Sequence, residues 1–350
     1  MITHTSMHLE QATSLPWLVA DIGGSNARFG LVLKPGAGVQ HVRTISVPTH
    51  ADPVKAACAY LHDISVLLGA EFRTPRKAAF AVATVTAGDY INFTNSHWSF
   101  FKATVQAELK LDTFLVLNDF EALALSLPRL SAAQLRPHDQ LPQAKGTLAV
   151  IGPGTGLGVA GVMQTPMGWV ALAGEGGHAT LAPCDDFESA ILAQVRQTFS
   201  HVSAERLLSG IGLPVLHNAV AQVRGGTIDV ITTELIVERA LAGSDAICAE
   251  TLDTFCALLG SFAGNVALTM GARGGVYIGG GIVPRLGERF FTSRFRERFE
   301  AKGRFQSYMK NIPTALITDT LAALTGAAMA IEQHQVSRLK KEAMRRKWRW

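Results

Sequence analysis

The chain has 350 residues, of which 48% are hydrophobic and 17% charged. That is ample apolar material for a large buried core, and it excludes intrinsic disorder, which needs low hydrophobicity and high net charge. The formal net charge is +4, but residues 338–350 (RLKKEAMRRKWRW) carry seven Lys/Arg and one Glu, a sum of +6 that leaves −2 for the rest of the chain, so a general nucleic-acid surface is excluded.

At roughly 150 residues per domain the length suggests about two domains. No apolar run approaches the roughly 18 residues of a membrane helix. Met1–Ser14 lacks the basic, apolar, then small-residue order of a signal peptide. A cytoplasmic protein is expected, its body binding neither nucleic acid nor membrane; the basic end reads as a solvated tail, with contact to RNA or anionic lipid through its charge and two tryptophans as the alternative. Cys58, Cys184, Cys248 and Cys256 stand in no metal-ligand spacing and read as free buried thiols.

In chain order, short apolar runs alternate with helical patterns, which points to an α/β architecture. Trp17–Ile22 reads as a strand, Gly23 to Asn26 as a turn and Ala27–Leu33 as the returning strand of a hairpin. Pro53–Leu68 has helical spacing. Ala78–Ala83 and Phe114–Leu117 read as buried strands, and a helix over Glu121–Leu127 follows Asn118 and Asp119. Pro128, Pro137 and Pro142 then interrupt any helix. Strand, glycine turn and strand recur at Thr147–Ile151 and Leu157–Met163. Phe187–Thr198 and Glu250–Thr269 read as helices, Gly275–Ile278 and Ala315–Ile317 as strands, and Leu321–Gln333 as a last helix.

Several clusters suggest chemistry. Asp21-Ile-Gly-Gly-Ser-Asn-Ala-Arg28 puts an acid at a strand end and then turns the backbone sharply. Such a turn bares N–H groups for phosphate oxygens; Gly23, Gly24, Ser25, Asn26 and Arg28 add to it, and Asp21 suits Mg²⁺, directly or through water. In Gly152-Pro-Gly-Thr-Gly-Leu-Gly158, four glycines in seven residues let the backbone approach a polyphosphate closely. Gly154, Thr155 and Gly156 are its candidate contacts. Gly279, Gly280 and Gly281 leave a flat surface for adenine or ribose. Asp119, after a buried strand, stands where open α/β sheets bind ligands. With an ordinary pKa near 3.9 it can accept a hydroxyl proton, and it can also cap the following helix. Gly174-Glu-Gly-Gly-His178 offers Glu175 and His178 to a small polar ligand. Ser203-Ala-Glu-Arg206 alone reads as a solvated helix start.

Two nucleotide motifs fail. The chain has no Gly-Lys pair and so no P-loop. A Gly-x-Gly-x-x-Gly pattern exists at Gly156, Gly158 and Gly161, but a dinucleotide fingerprint must open a helix. Here Val159–Met163 and Trp169–Leu172 read as a hairpin around Pro166 and Gly168.

Taken together, DIGGSNAR at 21–28, TNSHWSF at 94–100, LNDFEA at 117–122, IGPGTGLGVA at 151–160, GEGGH at 174–178, HVSAERLLSG at 201–210 and GGVYIGGGIVPR at 274–285 resemble, in order, the bacterial ATP-dependent glucokinase family of the hexokinase–actin superfamily. The resemblance covers roughly residues 17–330. It implies a two-domain actin-like ATPase (ribonuclease H-like) α/β fold with the active site in the interdomain cleft. The small domain would be residues 1–128 plus 318–337 and the large domain 129–317, with a basic tail at 338–350. It implies ATP, Mg²⁺ and D-glucose as ligands, a homodimer, Asp119 as catalytic base, and Asn118, Glu175, His178, Glu205 and Asn95 as sugar-binding residues. The chain departs from the family pattern at Ser25 (usually Thr), at Ala83-Thr84-Val85 (an Ala-x-Pro element) and at Asp319-Thr320-Leu321 (an Asn-Pro-Gly element). A kinase of another hexose and a non-enzymatic sugar sensor are the competing readings.

Overall fold

The computed structural model describes residues 15–347 apart from Pro35 and Thr94, with the backbone alone for residues 339–347. The readings of Met1–Ser14 as no signal peptide and of the tail's charged face therefore lie outside the described residues. The chain divides into two compact units. One takes the chain up to Leu127, the stretch Thr165–Val170 and the chain from Thr320 onward; the other takes Pro128–Gln164 and Ala171–Asp319.

The first unit is built from β1 (Trp17–Ile22), β2 (Asn26–Val32), β3 (Gln40–Ser46), β4 (Lys77–Val82), β5 (Tyr90–Asn92), β6 (Ser99–Phe101) and β7 (Thr113–Asn118). Five of these form one sheet in the order β3-β2-β1-β4-β7, while β5 and β6 pair as a separate ribbon. The apolar runs of β1 and β4 are buried along nearly their whole length, as expected for strands covered on both faces. β1 is antiparallel to β2 and parallel to β4, and β4 is parallel to β7. The register aligns Ile22 with Val82 and Val82 with Asn118. The sequence after each of the three strands therefore emerges at one carboxyl edge.

Phe29, Tyr60 and Phe80 are buried and Phe114 packs beside them; the Phe80–Phe114 centroids are 4.9 Å apart and edge-on. The helix Pro53–Leu68 starts on an Asp52 carboxylate that accepts from Lys55 N and stops at Gly69, φ 52°. The last helix, expected to end at Gln333, runs over Ala322–Lys347. It crosses the helix Asp119–Ser126 so closely that a Cβ on Gly326 would lie 1.6 Å from the carbonyl oxygen of Ala122.

The second unit contains β8 (Leu135–Pro137), β9 (Thr147–Pro153), β10 (Leu157–Thr165), β11 (Gly168–Gly174), β12 (Gly275–Ile278) and β13 (Thr314–Ile317) in one sheet, ordered β11-β10-β9-β12-β13-β8. β9, β12 and β13 are parallel, while β10 and β8 run against β9 and β13. β10 continues through Gly158 and Gly161 without opening a helix, so the Gly-x-Gly-x-x-Gly pattern is a hairpin.

The helix Ala246–Met270 corrects the expectation that no stretch matches a membrane span. It has 25 residues, and an 18-residue window within it has a mean hydropathy of 1.3, but 72% of that window is buried, so it is a core helix. Gly260 and Gly264 let the helix Phe295–Glu300 cross it closely. Beside that crossing, buried Arg298 bonds Glu188, Asp185 and Ser261. The cysteine reading also changes: Cys248 and Cys256 are buried, whereas Cys58 and Cys184 are exposed.

Candidate active site

In the first unit the sheet edge assembles one set of candidate residues. The turn after β1 closes with Gly23 N donating to Asn26 O at 2.9 Å. A Cβ on Gly24 would meet Asn95 O at 2.5 Å, so only glycine lets the segment carrying Asn95 lie against this turn. That segment is anchored by buried Trp98, whose Nε1 donates to His50 O at 2.9 Å. Asp21 and Arg28 are cross-strand partners, with Nη1 of Arg28 at 3.2 Å from Oδ2 of Asp21. Arg28, expected to add charge for phosphate, thus commits Nη1 to Asp21, and it also reaches Thr320 O at 3.5 Å. Burial pushes the Asp21 carboxyl up, against the pull of Arg28.

The helix Asp119–Ser126 is capped by Asn118, whose Oδ1 accepts from Phe120 N at 2.9 Å. This corrects the expectation that Asp119 caps it: Asp119 is the first helical residue, and its Oδ1 also accepts from Phe120 N. Nδ2 of Asn118 donates to Thr84 O at 3.3 Å, and the Thr84 hydroxyl donates to Asn92 O at 2.8 Å. The Ala83-Thr84-Val85 departure therefore ties its loop by side-chain bonding. The Asp119 carboxyl is not at its ordinary value. Burial, then the Asp21 carboxylate, push it up to about 6, against its hydrogen bonds.

In the second unit the carboxyl ends of β9 and β12 align, Ile278 facing Ile151. The turn after β9 closes with Gly154 N donating to Gly156 O at 2.8 Å. Gly279 N donates to Ile151 O at 2.8 Å, and Ile282 N to Pro153 O at 3.2 Å. Gly280 has φ 77°, and a Cβ there would lie 2.3 Å from Pro153 O. The two glycine turns are thus in backbone contact.

The segment around Ser203–Arg206 wraps the first of these turns. Gly210 N donates to Gly154 O at 2.7 Å, and Leu157 N donates to Oε2 of Glu205 at 2.8 Å. Glu205 N donates to Gly177 O at 2.8 Å, and a Cβ on Gly177 would meet Leu157 O at 2.1 Å. Nε2 of His178 stands 3.9 Å from Oε1 of Glu205. Glu175 and Thr155 are exposed, and the His178 side chain is 60% exposed, open to a ligand. Asn95, Asn118 and Asp119 belong to the first unit, and Glu175, His178 and Glu205 to the second. The sequence reading missed Gly210 as a support of the turn and Ser209, whose hydroxyl donates to Glu205 O, as a support of Glu205. Their signal was the small pair that ends HVSAERLLSG.

Asp319, at the late departure from the family pattern, accepts from Gln134 at 2.5 Å. Among the described residues, no group of three or more His, Cys, Asp or Glu could hold a metal. The Asp21 carboxylate fits Mg²⁺, which takes few protein ligands and keeps its waters. A cavity of about 520 Å³ lies instead at the amino ends of β9, β12 and β13, lined by Lys145, Arg273, Gly274 and Pro313 among others, and touches none of the site residues.

A family model described as Glucokinase matches residues 18–334. The glucokinase of Aromatoleum aromaticum is 47% identical over 318 residues, 91% of this chain and 95% of that protein. The glucokinase of Chromobacterium violaceum is 46% identical over 327 residues, 92% of this chain and 91% of that protein. Among solved structures, a glucokinase from an Antarctic psychrotroph aligns with a TM-score of 0.84 at 35% identity, covering 91% of this chain and 98% of that one. A ROK family glucokinase from Streptomyces griseus, solved with glucose and AMPPNP, shares the fold: TM-score 0.58 at 20% identity, covering 90% of this chain and 98% of that one.

Proposed function

The chain belongs to the glucokinase family, and on that premise we propose that Asp119 is the base of its reaction and that the two sets of site residues serve one pair of substrates. The enzyme phosphorylates D-glucose with ATP at the 6-hydroxyl, giving glucose 6-phosphate and ADP, the entry step of glycolysis. The observation that carries the residue assignment is the half-buried Asp119 carboxyl at the end of β7, held near 6. At neutral pH such a group is ionised, yet its pKa lies close enough to the operating pH for efficient proton acceptance.

In this reading Asp119 orients the 6-hydroxyl and takes its proton as the bond to the γ-phosphorus forms. Asn118 spends Oδ1 and one N–H on the fold, and its second N–H and spare lone pair serve the sugar. Glu175, His178, Glu205 and Asn95 complete the sugar contacts. A site built to pair hydroxyls rejects analogues that lack them, because buried polar groups are then left unpaired. Gly24, Ser25, Asn26 and Arg28, with Thr155 and Gly156, offer preorganised donors to phosphate oxygens, while Gly23 and Gly154 spend their N–H groups on closing the two phosphate turns. Gly279, Gly280 and Gly281 take the adenosine. Asp21 would hold Mg²⁺, directly or through water, and the ion would neutralise charge on the phosphates.

The finer architecture in the same reading is the actin-like one, with a small domain (1–128 plus 318–337) and a large one (129–317). A cytoplasmic homodimer completes the reading; sedimentation at micromolar concentration checks the dimer.

The test is glucose 6-phosphate formation by the purified protein with ATP and Mg²⁺, with Asp119→Ala in parallel. Loss of a general base costs on the order of 10²–10⁴-fold. Near wild-type turnover in the variant would remove Asp119 from the role.

A further inference from the structure

We propose that Glu205 couples the two substrates: the carboxylate that receives the sugar also braces the phosphate-binding turn, so glucose and nucleotide affinity depend on one side chain. The inference rests on the reading of Glu205 as a sugar ligand and of Gly154–Gly156 as a phosphate turn.

The two oxygens of Glu205 have different neighbours. Oε2 accepts from Leu157 N at 2.8 Å, at the point where the turn becomes β10. This is a charge-assisted bond, about twice as strong as a neutral one. Oε1 faces His178, whose Nε2 is 3.9 Å away. An ionised carboxylate offers about four acceptor positions, so it can keep Leu157 while receiving a sugar hydroxyl. The turn is shaped for this carboxylate: a Cβ on Gly156 would lie 2.5 Å from Oε2. Gly156 is therefore a positioning residue, kept small so that Glu205 can reach Leu157.

The backbone makes the same connection. Glu205 N is bonded to Gly177 O, and the Ser209 hydroxyl donates to Glu205 O at 2.7 Å. One turn further, Gly210 N and Ile211 N reach Gly154 O and Thr155 O, at 2.7 and 3.5 Å. Residues 205–211 thus form a wall shared by the GEGGH segment and the phosphate turn. A hydroxyl that fixes the Glu205 carboxylate also fixes the turn. The second ligand then has less freedom to remove, and by linkage the effect is reciprocal.

The experiment is titration of the protein with a non-hydrolysable ATP analogue and Mg²⁺, with and without saturating glucose, followed by titration with glucose alone. The wild type is expected to bind the analogue about 5–150-fold more tightly when glucose is present, the usual range of such coupling. Glu205→Ala is expected to weaken the analogue without glucose and to abolish the glucose-dependent gain. Glu205→Gln, whose amide oxygen can still accept from Leu157 N, should retain most of the sugar-free affinity. Gly156→Ala should raise the Kd for glucose, because the added methyl displaces the carboxylate; this variant and Glu205→Gln carry the test if Glu205→Ala does not fold.

A wild type with no glucose-dependent gain overturns the coupling. So does a Glu205→Ala protein that loses glucose affinity while its analogue Kd and gain are unchanged, or a Gly156→Ala protein with unchanged glucose Kd. Undiminished glucose binding by Glu205→Ala would instead remove Glu205 from the sugar site.

Discussion

The turn at Gly23–Asn26 and the turn at Pro153–Gly156 both join antiparallel strands at a sheet's carboxyl edge, yet they are built from different materials. Around the first stand ionisable side chains: Asp21 paired with Arg28, and Asp119 raised by burial and by Asp21. Around the second the contacts are mostly backbone: Gly279 on Ile151, Ile282 on Pro153 and Gly210 on Gly154, with the Glu205 carboxylate as a charged support. In the proposed reading, a repeated strand–turn–strand pattern thus serves proton and charge chemistry in one unit and close-fitting backbone donors in the other. In the first unit side-chain substitutions are expected to dominate. In the second the larger effects should come from adding a methyl group to glycine.

The largest effect expected is at Asp119. Asp119→Asn keeps the volume and an oxygen for Phe120 N, but it cannot accept a proton. Turnover should fall by about 10²–10⁴-fold, and a thermal melt should show no loss of stability, because the amide is easier to bury than the carboxylate. A variant that loses its fold along with its activity would mean that Asp119 is structural and would blur the contrast between the turns.

Next comes Gly280→Ala. A residue other than glycine at φ 77°, with its Cβ 2.3 Å from Pro153 O, strains the backbone by about 1–3 kcal/mol. The nucleotide KM should rise while the glucose KM holds. Its counterpart in the first unit is Gly24→Ala, pressed by Asn95 O at 2.5 Å. It should raise the glucose KM as well, because Asn95 must move. Equal kinetic profiles for the two variants would break the comparison.

Much of this was legible in the sequence because apolar runs report burial directly. Trp17–Ile22 and Pro53–Leu68 have the bounds read from the pattern. β3 is not legible, since all its residues are exposed or half-buried and carry little apolar signal. The last helix runs to Lys347, past the Gln333 end of its apolar pattern, because Lys, Arg, Glu and Ala all have good helix propensity. At the site, residue types were readable and their interactions were not. Nothing local marks Asn118 as the cap in place of Asp119, Arg28 as a partner of Asp21, or Glu205 as a partner of Leu157 N, 48 residues away. The raised Asp119 carboxyl was likewise invisible, because it comes from burial and from a second acid 98 residues earlier in the chain.

That second acid gives the next prediction. A carboxyl of pKa about 6 is protonated below that pH and cannot then act as base. kcat/KM should fall roughly tenfold per pH unit on the acid side of about 6 and level off above it. Asp21→Asn removes a carboxylate that raises the Asp119 value, so this limb should move to lower pH. An unchanged limb in Asp21→Asn would mean that burial alone sets the value and that the two acids act separately.

The smallest effect expected is at Thr155, the exposed hydroxyl of the second turn. If backbone N–H groups do most of the phosphate holding there, Thr155→Ala removes one hydrogen bond of about 0.5–1.5 kcal/mol. That is roughly a 2–12-fold rise in the ATP KM, which Thr155→Ser should restore. Thr155 O also accepts from Ile211 N at 3.5 Å, a bond neither substitution removes, so the turn itself should keep its shape. A loss as large as that in Asp119→Asn would show that this turn also depends on a side chain, and that the two turns differ in chemistry but not in kind.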